Sequence, residues 1–97
     1  MIFAWEPRGN WNPQIVKSIC ENLDLWHAVD PFENKSTTPD KIYYRLHGRT
    51  GWRYKYEESE LEELSEMLPK NKTAYVFFNN IYMTEDAVTL QNITNNL

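Results

Sequence analysis

The segment YYRLHGR, Tyr43 to Arg49, decides how this chain is read. In a strand successive side chains point to opposite faces, so Tyr43, Arg45 and His47 share one face while Tyr44 and Leu46 share the other. The second face is apolar and suits burial beneath a helix. The first offers a guanidinium and an imidazole to something else. Gly48 follows directly, where it either adopts a positive φ or lets a ligand approach the backbone, since glycine does both without steric cost.

Segments of similar character lie on either side. Ile2 to Trp5 is a short apolar run closed by Glu6-Pro7-Arg8-Gly9, which predicts a buried strand and a turn. Asn12 before Pro13 predicts a helix start, because Asn caps free N–H groups and proline suits the first turn. From there Ile15, Val16, Ile19, Cys20 and Leu23 fall on one helical face. Leu25 to Val29 is a second strand, ended by Asp30-Pro31, and Phe32 to Lys41 is an irregular loop long enough for a crossover. Ile42 to His47 is the third strand and Arg49 to Glu58 a polar, aromatic loop over its end. Ser59 and Glu62 fit a capping box for a helix with Leu61, Leu64, Met67 and Leu68 inward, stopped by Pro69. Thr73 to Phe78 is the fourth strand, ending in Asn79-Asn80. A last helix, capped by Thr84, carries Ala87, Leu90, Ile93 and Leu97 inward. The order β-α-β-β-α-β-α, with strands apolar along most of their length, predicts an α/β unit of four mostly parallel strands with both sheet faces covered.

Length and composition bound the rest. Ninety-seven residues make one domain, 1–97, and a chain this short buries only roughly 60–65 % of its unfolded surface. Aromatic residues make up 14 %, a large apolar payload that suits a small core or an interface. A net charge of −4 argues against generic phosphate-backbone binding, which needs a basic face. Cys20 is the single cysteine, so neither an intramolecular disulfide nor a cysteine zinc cluster can form. The opening MIFAWEPRGN lacks the pattern of a secretion signal, and no run approaches the ~20 apolar residues of a membrane span. The expected location is the cytoplasm.

Polar residues gather at the carboxyl ends of the expected strands: Glu6 and Arg8 after the first, Asp30 after the second, Arg45, His47 and Arg49 at the third, Asn79 and Asn80 after the fourth. In α/β folds ligands bind at that edge, so four such strand ends read as a site, although strands must also end in something polar. Each residue has a plainer reading. His47 is either a hydrogen-bonded core histidine or an acid/base group, Glu6 and Arg8 either an ion pair or part of the site, and Asp30 either a turn former or its partner. One of Asn79 and Asn80 caps a turn. Trp52, Tyr54 and Tyr56, alternating with Arg53 and Lys55, make either a stacking surface or lid or a packed hairpin edge. His27 reads as core, and the acidic run Glu57, Glu58, Glu60, Glu62, Glu63 as a solvated helix face.

The segments FAWEPRGNW, VDPF, YYRLHGR, Tyr54-Lys-Tyr56, YVFFNN and Asp86-Ala87, in this order, resemble the carboxyl-terminal part of the YecE-like family, domain of unknown function 72. The resemblance implies a TIM-barrel-like β/α fold, of which this chain supplies the second half, and an activity that is not established. By likeness Glu6, Arg8, Asp30, Arg45, His47, Gly48, Arg49, Asn79 and Asn80 correspond to its motif positions.

Two functions are expected. In the first, the strand ends bind a small anionic or polyhydroxylated ligand: His47 serves as acid/base, Glu6 or Asp30 as its partner, and Arg8, Arg45, Gly48, Arg49, Tyr54, Asn79 and Asn80 hold the ligand. In the second, the chain is a non-catalytic half-barrel subunit that works by pairing as a homodimer or with a separate amino-terminal half. No spacing demands a metal, and the sequence names no cofactor.

Overall fold

A computed structural model of the chain describes residues 2–70 and 72–95. Its elements are β1 (Ala4–Trp5), α1 (Pro13–Leu23), β2 (Trp26–Val29), β3 (Ile42–Leu46), α2 (Glu58–Met67), β4 (Ala74–Phe78) and α3 (Met83–Asn95). The strands form one sheet in the order β1-β2-β3-β4, every neighbouring pair parallel. Sequential order without a reversal means that right-handed crossovers all carry the chain over the same face. This order is consistent with a half β/α barrel unit and lacks the reversal of a doubly wound sheet.

The register sorts the side chains. Val29 lies beside Tyr44 and Leu46 beside Phe78, and these residues, with Ile42, are buried against Leu61 and Leu64 of α2 and Leu90 of α3. Tyr56 closes this core, its ring stacked 5.7 Å from Phe32 and edge-on 5.8 Å from Phe78. The opposite face carries Trp26, Tyr43, Tyr75 and Phe77, in ring contact at 5.2 to 6.0 Å. Phe77 there is 45 % exposed. Cover on both faces, expected from the apolar strands, is thus met on one face only among the described residues.

The helix caps explain the element limits. Asn12 stands at the N-cap of α1 with its Oδ1 accepting the Gln14 N–H at 2.9 Å, and Pro13 follows, as the sequence predicts. Asp24 ends the helix at φ +53 and holds Lys41 across the sheet end. The expected five-residue stripe narrows to Val16 and Cys20, while Ile15 and Leu23 are exposed. The cause is that α1 meets the sheet chiefly at β2, a floor too narrow for a wider stripe.

Two other starts differ from expectation. α2 begins with Glu57 as N-cap and Glu60, not Ser59 and Glu62, as the capping pair: the Glu57 N–H donates to Glu60 Oε1 at 2.9 Å. Glu60 is selected because Tyr54 and Arg49 also bind its carboxylate. Thr84 lies inside α3 rather than capping it, because Asn80 O accepts the Met83 N–H and starts the helix earlier. Met67 and Ala87 face solvent, Ile93 is half-buried, and Leu97 lies outside the described residues.

Candidate functional site

Register also sets the strand ends. Ala4 pairs with Trp26 and Ala28 with Tyr43, so steps of two residues bring Glu6 onto the face of Arg45 and His47. There one carboxylate holds both cationic side chains. Glu6 Oε1 accepts from Arg45 Nη1 at 2.8 Å, and Glu6 Oε2 lies 2.9 Å from His47 Nε2. All three side chains keep solvent access, with relative exposures of 26, 37 and 39 % for Glu6, Arg45 and His47.

Asp30 supports this cluster from beneath. It is buried at 3 %, its Oδ1 accepting the Phe32 N–H at 3.0 Å and its Oδ2 the His47 N–H at 3.1 Å. It therefore forms the turn after β2, as one of its two readings expects, and ties the end of β3 in place through the His47 backbone rather than its imidazole. Gly48 then turns the chain at φ +93, and its N–H donates to the Tyr56 hydroxyl at 2.8 Å. A side chain there would collide with the Gly51 carbonyl oxygen, so the glycine is required by the turn.

The other expected site residues turn elsewhere. Arg49 Nη1 pairs with Glu60 Oε2 at 3.0 Å, and its guanidinium lies over the Phe32 ring. Tyr54 donates to Glu60 Oε1 at 2.5 Å, a bond that pushes the phenol up to about 12. Burial works to raise the Glu60 carboxyl, but hydrogen bonds from Tyr54, the Glu57 amide and Arg49 outweigh it and the net shift is downward. Glu60 is therefore an exception to the solvated acidic run. Arg8 is exposed and its carbonyl accepts the Trp11 indole N–H at 2.7 Å; Glu6 is bound to Arg45 and His47 rather than to Arg8.

Of the asparagine pair, Asn79 is exposed and its N–H extends the β3–β4 ladder to Leu46 O at 2.7 Å. Asn80 is buried, its amide donating to Tyr54 O and to Asp86 Oδ2, both at 2.7 Å. Asp86 also accepts the Tyr56 N–H at 3.3 Å. Sequence reasoning placed Glu60 on a solvated helix face and used Asp86 only in the family resemblance, and read neither as a buried carboxylate. The spacing Glu57 to Glu60 was the available signal for the first; for Asp86 no local pattern points to a buried carboxylate.

With this geometry in hand, comparison with known families adds one finding. The model of a family described as a protein of unknown function, DUF72, matches residues 15–96. The chain belongs to the DUF72 family. The DUF72 match contains Asp30, Arg45, His47, Gly48, Arg49, Asn79 and Asn80, while Glu6 and Arg8 precede it. No curated protein and no solved structure matches the chain. Among the described residues of this DUF72 chain no helix is long and apolar enough to cross a membrane, and no three His, Cys, Asp or Glu side chains gather as a metal site.

His27 is buried, as expected, but with a defined partner. Its Nδ1 accepts the Thr37 N–H at 3.0 Å and lies 3.1 Å from the Thr37 hydroxyl, while the His27 backbone N–H donates to Thr38 Oγ1 at 3.0 Å. Burial pushes the imidazole below its ordinary 6.5, with the Glu6 carboxylate pulling the other way. The unfolded chain thus takes up this proton at a higher pH than the folded one. Stability falls as pH drops below about 6.5 and levels off once the folded imidazole is also protonated. Urea unfolding at about pH 7.5 and about pH 5 is expected to show a drop that His27→Gln reduces. An equal drop in both proteins would remove His27 as its source.

Proposed function

We propose that Glu6, Arg45 and His47 bind a small anionic or polyhydroxylated ligand at the carboxyl end of the sheet, with His47 and Glu6 available for acid/base or hydrolytic chemistry. The observation that carries this reading is the single Glu6 carboxylate shared by Arg45 and His47, on a solvent-accessible strand end. A guanidinium has five N–H donors, so Arg45 has donors left for a ligand after the bond to Glu6. A carboxylate that holds one imidazole nitrogen orients the ring so that the other can accept or give a proton. Titration calorimetry with inorganic phosphate and sugar phosphates tests the reading: saturable heat supports it, and its absence with every one of them counts against it.

A second reading is favoured by the aromatic sheet face and by the position of β1 and β4, which end the strand order. Edge strands and an apolar face are normally covered. In this reading the chain is a half-barrel subunit that pairs with a second copy or with a separate amino-terminal half. Light scattering at micromolar concentration is expected to show a dimer, or a heterocomplex once the second half is added. A monomer that gains nothing from a candidate partner would argue against assembly.

A further inference from the structure

A cleft of about 650 Å³ is bordered by Glu6 but by neither Arg45 nor His47, and its chemistry differs from that of the Arg45 cluster. One wall is the Asn10-Trp11 segment and the other the Glu33–Thr37 stretch, with His27, Val29 and Asp30 between them. Its volume falls within the ~300–1,000 Å³ typical of small-molecule sites. We infer that this cleft takes a neutral polyhydroxylated group, a pyranose or a comparable polyol. The inference goes beyond the ligand-binding reading above and stands apart from it: the two places share only Glu6, which borders both.

Three observations carry it. The first is His27, 7 % exposed and lining the cleft. Because Nδ1 accepts the Thr37 amide N–H, the proton of the neutral ring sits on Nε2, and that N–H meets no acceptor among the described residues. A fixed ring donor without a protein partner, open to solvent in a cleft wall, is suited to a ligand oxygen.

The second is charge. Glu6, Asp30 and Glu33 line the cleft against Lys35 alone among cationic side chains. An anion would enter against this excess, whereas hydroxyl groups donate to carboxylates and accept from the His27 Nε2–H and from the amides of Asn10 and Asn34. The Asp30 oxygens are already committed to backbone N–H groups and the Glu6 oxygens to Arg45 and His47, which leaves Glu33 as the uncommitted carboxylate acceptor.

The third is Trp11, 45 % exposed at the cleft wall. Its indole N–H is fixed on Arg8 O, and its ring meets Trp5 at 5.3 Å with an interplanar angle of 87°. An indole held this way offers a rigid apolar surface, and the C–H face of a pyranose stacks on such a surface while its hydroxyls reach the polar groups around it.

The test is nitrogen–proton NMR of the full chain, titrated separately with D-glucose, D-galactose, myo-inositol and inorganic phosphate. At least one neutral polyol is expected to shift the His27 Nε2–H and Trp11 indole signals together and saturably. Trp11→Ala should weaken that binding about tenfold, whereas Trp52→Ala, an exposed tryptophan outside the cleft, should leave it unchanged. Phosphate moving the His27 and Trp11 signals, or none of the polyols moving them, would overturn the inference. Shifts confined to Arg45 and His47 would also overturn it while supporting the ligand site proposed above. Shifts confined to His27 and Trp11 would uphold it and count against that site.

Discussion

Gly48→Val is expected to cost much of the protein's stability, about 2–6 kcal/mol. The backbone at Gly48 has φ +93, a conformation that costs a branched side chain about 1–3 kcal/mol. A Cβ there would also collide with the Gly51 carbonyl oxygen and stand 3.0 Å from Tyr54 Cβ, and overpacking of this kind adds about 1–3 kcal/mol. Together these reach about 2–6 kcal/mol, against a total stability that for small domains starts near ~5 kcal/mol. The neighbouring bond from Gly48 N–H to Tyr56 O–H is at risk as well, and Tyr56 closes the core. Gly9→Ala serves as the comparison, since Gly9 has φ +84 with open space around the added Cβ, and should cost only about 1–2 kcal/mol. Urea unfolding of both variants checks the pair. Equal midpoints would mean that the Gly48–Gly51 turn does not have the close approach described.

Arg45→Ala is expected to weaken the binding of phosphate-bearing ligands by about 1.5–3 kcal/mol, the range for hydrogen bonds to charged groups, or roughly ten- to a hundredfold. The fold should survive, because the Arg45 side chain is more than a third exposed and its ion pair with Glu6 is of the kind that contributes little to stability. What the substitution removes is the strongest donor near the ligand, and it leaves the Glu6 carboxylate facing any incoming anion with only His47 beside it. Arg49→Ala is the matched control: its guanidinium is engaged by Glu60 and Phe32, and binding should be nearly unchanged. Calorimetry on the three proteins separates these cases, and an Arg45→Ala affinity equal to the unaltered protein's would remove Arg45 from the site.

The fold was legible wherever a local rule was strong enough to stand alone. The period-two alternation of Tyr43 to His47 placed Tyr44 and Leu46 in the core, and Asn12-Pro13 marked the start of α1. Gly48 signalled either a positive φ or a ligand close to the backbone, and the structure has the first, at φ +93. Local rules failed where two candidates had equal spacing and a distant residue chose between them. Ser59–Glu62 and Glu57–Glu60 both satisfy the capping-box spacing; Tyr54 and Arg49, brought in by the loop, bind Glu60 and decide it.

The same limit governs the strand-end residues. Arg45 and Arg49 look alike in sequence, yet Gly48 reverses the chain between them, so that one meets Glu6 and the other Glu60. Exposure of Ile15 and Leu23 was illegible for a related reason, since helical periodicity identifies an apolar face but not how much sheet lies beneath it.

Crystals soaked in a sugar phosphate such as glucose 6-phosphate test the central claim most directly. The predicted result is ligand density at the carboxyl end of β3, with oxygens in hydrogen-bond distance of Arg45 and His47 and with Glu6 at its border. Density that instead sits away from all three residues, or a site left to water at saturating ligand, would contradict a ligand role for the Glu6–Arg45–His47 cluster.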